Sequence, residues 1–128
     1  RGKLWKVMLL HISQHPIIGC GFQAFWTLEN PQLLLLYQTF VWLPNQAHNG
    51  YLDIMNEIGI IGLLLFLIII FRYFFIIIKR GEISLWAWFL ILPLISSVTE
   101  SLLFRTSDIY TRMIFLTYLS LFMPNKIE

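Results

Sequence analysis

Ala47-His48-Asn49-Gly50-Tyr51-Leu52 is the stretch of this 128-residue sequence best equipped for chemistry. An imidazole titrates near neutrality, so His48 can serve as general base, general acid or hydrogen-bond donor. Asn49 suits the N-cap of a helix starting at Gly50. That places His48 beside a helix N-terminus, where backbone N–H groups favour negative charge. The competing reading is a histidine that merely precedes a cap. Arg72, Glu100 and Arg112 lie in or beside apolar runs, where a charge is expensive unless paired or facing water. Arg72 is expected to snorkel. Glu100 is expected to face a bundle interior and pair with Arg105 or Arg112. A structural ion pair accounts for these charges as well as catalysis does.

Two other patterns carry less. Gly19-Cys20-Gly21-Phe22-Gln23-Ala24 fits a loose dinucleotide fingerprint, but no strand precedes it and Glu29 and Asp53 fall at the wrong distances. Its glycines read as a tight turn. His11 and His15 stand four apart, yet Pro16 breaks the helix and no third ligand is near, so no zinc site is expected. A single cysteine, Cys20, excludes an internal disulfide.

The elements that must position His48 belong to a membrane protein. Apolar residues make up 58% and charged residues 12%, against about half and a quarter in soluble domains. The mean hydropathy is +0.73. This composition excludes a disordered tail, a nucleic-acid-binding domain and a coiled coil. A net charge of +2 is too small to call for a polyanionic partner. The expected fold is all-α: a polytopic membrane fragment with a loop of short helices over 1–57, then three transmembrane helices over 58–128. The spans are placed at about 58–78, 84–104 and 107–123, the first running unbroken from the helix capped by Asn49. The third is short and must borrow flanking residues. Within the loop, Leu4, Met8 and Ile12 mark one face of a short helix that ends at His15-Pro16. Residues 33–43 read as a re-entrant or interfacial piece. The chain opens on Arg1 without a leader pattern, so it is expected to be part of a longer protein. Lys79 and Arg80 favour a cytoplasmic C-terminal end for the first span, but Arg105 and Arg112 would then lie on the outer side, so the charge count leaves the orientation open. Arg1, Lys3 and Lys6 would lie outside as well, where an anionic ligand would give them a reason.

Arg1-x3-Trp5, His15-Pro16-Ile17-Ile18-Gly19-x-Gly21-Phe22, Ala47-His48-Asn49-Gly50-Tyr51-Leu52 and Glu57-Ile58-Gly59-Ile60-Ile61-Gly62-Leu63 occur in this order. Together they resemble the C-terminal signature of the O-antigen ligase and polysaccharide polymerase family, in particular members that act in exopolysaccharide production. Thr99-Glu100-Ser101 is a weaker match. The resemblance implies a metal-independent glycosyltransferase of the bacterial inner membrane, with the motif loop facing the periplasm and no cofactor. Such an enzyme takes a glycan from an undecaprenyl-diphosphate carrier to a saccharide or lipid-linked acceptor. It implies that His48 is catalytic and that Arg1 engages the diphosphate. Asn49, Trp5 and Tyr51 are then candidate substrate contacts, although interfacial anchoring and packing account for Trp5, Phe22, Tyr51 and Trp86 as well. Gly59 and Gly62 would let a neighbouring helix or the carrier lipid approach the first span. Residues 25–46 match no motif, so substrate choice stays open. The other reading is a non-catalytic segment of a lipid-linked glycan flippase or another transporter, which leaves the Arg1 and His48 motifs unexplained.

Overall fold

The computed structural model describes residues 1–39, 44–80, 85–104 and 109–122. Among them every regular element is helical: α1 (Gly2–Gln14), α2 (Pro31–Thr39), α3 (Gly50–Arg80), α4 (Leu85–Ser96) and α5 (Ile109–Phe122). α1 buries Leu4, Met8 and Ile12, at steps of four. Leu4 and Met8 join Phe25, Leu33 and Ala47 in a small core beside the start of α3. His11 is buried on the same stripe, its Nδ1 2.6 Å from Asn56 Oδ1 of α3. It ties two helices together, while His15 is the C-cap of α1. No three metal-ligating side chains of His, Cys, Asp or Glu come together among the described residues.

α3 is not the unbroken helix expected. Gly59, at φ 67° and ψ −168°, interrupts it, in a region of backbone space open essentially to glycine alone. A break inside an apolar helix frees backbone groups that must find partners. The loop after α1 supplies them. Cys20 and Gly21 N–H donate to the carbonyls of Asn56 and Glu57 at 3.0 and 2.9 Å. Ile60 and Ile61 N–H donate to Pro16 and Ile17 carbonyls at 2.9 and 3.2 Å. The two backbones approach so closely that a Cβ on Gly59 would overlap the Ile17 carbonyl, and one on Gly19 would overlap Glu57. Gly59 therefore receives the chain's own loop rather than a neighbouring helix or a lipid, and Ile58's side chain fills the space beside Gly62.

Gly50–Lys79, a stretch of 30 residues, is long and apolar enough to cross a membrane, and it is the one such helix among the described residues. Leu64, Leu65, Ile68, Phe71 and Phe75 are exposed along it. The second expected span is shorter than expected. α4 has 12 residues and ends at Ser96, and residues 97–104 leave the helix. α5 has 14 residues, below the roughly 20 that a full crossing takes. α4 packs against α5. Phe66, Ile70 and Tyr73 of α3 share a second core with Ala87, Leu90 and Leu103. Gly81 and Arg105 lie outside the described residues.

Candidate functional site

The turn after α4 folds back over the first turn of α3. Gly50 N–H donates to the Ser97 carbonyl at 2.8 Å. Asn49 N–H donates to the buried Ser101 hydroxyl at 3.1 Å. Asn49 caps α3 as its type predicts: Oδ1 accepts from Tyr51 and Leu52 N–H at 3.1 and 3.0 Å. Its Nδ2 donates to the Val98 carbonyl at 3.1 Å. On the other side Trp5 Nε1 donates to the Ala47 carbonyl at 2.9 Å, and Asp53 Oδ2 accepts from Ala47 N–H at 3.3 Å. Tyr51 Oη donates to the Leu94 carbonyl at 2.8 Å. The polar atoms of Trp5, Asn49 and Tyr51 thus hold the segment that presents His48. His48 itself sits at φ 53°, a left-handed conformation uncommon outside glycine and enriched at functional positions.

Glu100 joins the two residues singled out in the sequence. Its Oε2 lies 3.0 Å from His48 Nδ1, and its Oε1 lies 3.1 Å from Arg1 Nη2. Arg1 Nη1 also donates to the Thr99 carbonyl at 3.1 Å. Glu100 therefore lies past the end of α4 rather than within a span, and the pairing expected with Arg105 falls outside the described residues. The helix ends four residues before it, and it faces the start of α1 and the cap of α3. Arg1 remains about half exposed, with 52% of its side chain accessible.

The protonation pattern follows from the partners. A carboxylate only accepts, so His48 Nδ1 must carry the hydrogen and donate to Glu100. Nε2 is then the basic nitrogen of the neutral ring. The Gln46 amide nitrogen lies 3.2 Å from Nδ1 and 3.5 Å from Glu100 Oε2. With Nδ1 protonated, the carboxylate is the group it can serve.

The hydrogen bond from His48 holds the Glu100 carboxyl below its ordinary value of 4.5. Desolvation opposes this, and the charges of His48 and Arg1 add to it. A carboxyl depressed on folding adds stability above its unfolded pKa and loses it as pH falls through the folded one. The cluster should therefore persist on acidification to about pH 4.5 and loosen below it. With 42% of the Glu100 side chain exposed, solvent screening keeps this contribution small. Thermal stability followed against pH should show a shallow acid decline that Glu100→Gln removes.

Sequence reasoning missed Gln46, and it singled out Glu100 but expected it to pair with Arg105 or Arg112 rather than with His48 and Arg1. The signal was Ser96-Ser97-Val98-Thr99-Glu100-Ser101, a run whose hydroxyls and carboxylate compete with helical backbone bonds.

Arginine, carboxylate and histidine thus form a partly exposed cluster at the start of a long apolar helix. Residues 1–67 match the O-antigen ligase family, and the chain belongs to that family. It is similar to a provisionally named polysaccharide ligase of Rickettsia felis, 36% identical over 73 residues, which are 55% of this chain and 18% of that protein. A similar protein of Rickettsia conorii is 33% identical over the same shares. The exopolysaccharide production protein ExoQ of Rhizobium meliloti is 29% identical over 84 residues, 62% of this chain and 19% of that protein. The chain thus spans less than a fifth of the length of these curated relatives. No solved structure matches it.

Proposed function

We propose that this chain carries the reacting corner of a bacterial membrane glycosyltransferase, which moves a glycan from a polyprenyl-diphosphate carrier to a saccharide or lipid-linked acceptor. Undecaprenyl diphosphate is the carrier that the family resemblance implies. The observation that carries the reading is the Glu100 carboxylate, bridging His48 and Arg1 at 3.0 and 3.1 Å. A transporter segment gives that arrangement no task.

The acceptor hydroxyl attacks the anomeric carbon, and its proton passes to His48 Nε2. Glu100, bonded to Nδ1, orients the ring and stabilises the imidazolium that forms. The anomeric C–O bond to the carrier breaks, and polyprenyl diphosphate leaves with the electron pair. A guanidinium offers two parallel donors to phosphate oxygens, so Arg1 stabilises the leaving charge. The start of α3 adds positive potential on the same side. No metal is needed in this scheme, since arginine meets the diphosphate. Trp5, Asn49 and Tyr51 keep the His48 segment in place, and residues 1–57 face the periplasm in the inner membrane. Helices α4 and α5, with flanking residues, would complete two further spans.

Arg1→Lys tests the assignment. It keeps the charge but loses the planar fork. Donor KM in the intact protein should rise about tenfold or more, with acceptor KM unchanged. Unchanged donor KM would remove Arg1 from the diphosphate site.

A further inference from the structure

Between the loop after α1 and the second turn of α3 lies a half-open cavity of about 510 Å³ with a different chemistry. Phe22, Gln23, Trp26, Asn45, Asp53 and Glu57 line it, and Ile54 and Ile58 give it an apolar wall. The loop that plugs the α3 break builds one side, and the second turn of α3 builds the other. Trp26 Nε1 donates to Asp53 Oδ1 at 2.9 Å, and Gln23 N–H donates to Glu57 Oε2 at 3.0 Å. Both carboxylates are thus oriented by the residues that share the wall with them. Asp53 also accepts from Ala47 N–H, so the cavity wall and the His48 segment are one connected unit. Asn45, three residues before His48, reaches the cavity from that segment. Among the described residues, the non-glycine positions with left-handed φ are His48, Gln23 and Phe104. The last two both line this cavity.

We infer that this cavity is the acceptor-saccharide subsite. The inference rests on the transfer reading above and names where the second substrate binds. A sugar ring has an apolar C–H face and a rim of hydroxyls. Aromatic faces and an apolar wall suit the first, and carboxylate and amide groups suit the second. A diphosphate offers only acceptor oxygens, which carboxylates cannot bond and a guanidinium can, whereas sugar hydroxyls can donate to Asp53 and Glu57, so the donor's charged end belongs with Arg1 and the acceptor saccharide with the cavity. Asn45 and the Asp53 bond to Ala47 N–H join the cavity to the segment that carries His48.

Phe22 is 54% exposed and lies outside both buried cores, so truncating it spares the fold. The assay uses the intact protein, a polyprenyl-diphosphate-linked glycan as donor and a soluble oligosaccharide of the same repeat as acceptor. Phe22→Ala should raise acceptor KM about tenfold, with donor KM and kcat at saturating acceptor unchanged. Phe22→Tyr, which keeps the ring, should restore it. Glu57→Gln, which keeps an acceptor for Gln23 N–H, should raise acceptor KM without moving donor KM. A wild-type protein that transfers glycan while Phe22→Ala and Glu57→Gln leave acceptor KM in place, or raise donor KM instead, overturns this inference alone. That result would mean the cavity holds the donor glycan or another segment of the longer chain. A wild-type protein that transfers no glycan overturns the transfer reading and this inference with it.

Discussion

His48→Ala in the intact protein is expected to lower turnover by about a hundredfold to ten-thousandfold, the usual contribution of a positioned general base. Donor binding should be nearly unchanged, because Arg1 and the backbone at the start of α3 remain. Protein level in the membrane should also be unchanged. The segment around position 48 is pinned by bonds that do not involve the imidazole: Trp5 to the Ala47 carbonyl, Asp53 to Ala47 N–H, and Asn49 to Val98 and Ser101. Glu100→Gln should give a smaller loss, about tenfold, since a carboxamide supports an imidazolium less well and the pair is partly screened by solvent. The measurement is turnover alongside donor binding for each variant. Near-normal turnover in His48→Ala would return the residue to a position that merely precedes a helix cap.

Gly59→Ala is expected to have the largest effect on the fold. An alanine at φ 67° and ψ −168° is strained by about 1–3 kcal/mol. Its Cβ would also overlap the Ile17 carbonyl, and overpacking of this kind adds about 1–3 kcal/mol. Their sum, about 2–6 kcal/mol, is a large share of a total stability of about 5–15 kcal/mol, so the melting temperature should fall and the level of folded protein in the membrane should drop several-fold. Gly19→Ala meets Glu57 from the other side of the same contact and should behave alike. Gly2→Ala, with nothing near its Cβ, is the control. The readout is the amount and melting temperature of protein in the membrane fraction. Wild-type levels in Gly59→Ala would show that the loop does not hold the break.

Local features were readable from local residues. The Leu4, Met8 and Ile12 stripe, the stop at His15-Pro16 and the Asn49 cap depend on neighbours within a turn or two. The break in α3 was not readable in this way. Gly59 looks like a small residue on an apolar helix face, and the carbonyls that accept from Ile60 and Ile61 N–H just after it belong to Pro16 and Ile17, far back in the chain. Hydropathy likewise merged α4 with residues 97–103 into one span, because Leu102 and Leu103 keep the average high. That merger put Glu100 inside a bundle instead of beside the Asn49 cap. Its position became legible only once Gly50 N–H was seen to bond Ser97 and turn the chain back over α3. His48 was legible from its type and its place before the Asn49 cap, Arg1 through the family resemblance, and their meeting through Glu100 is a property of the tertiary fold.

The central claim is transfer from a diphosphate carrier at the Arg1–Glu100–His48 cluster. The most direct measurement supplies the intact protein, in a metal chelator, with a polyprenyl-diphosphate-linked glycan and a saccharide acceptor. Released polyprenyl diphosphate and extended acceptor are followed together. The account predicts that both appear in equal amounts in chelator, and that both fall together in His48→Ala. Extension that stops in chelator and returns with Mg²⁺ or Mn²⁺, or that proceeds without release of the diphosphate carrier, would contradict it.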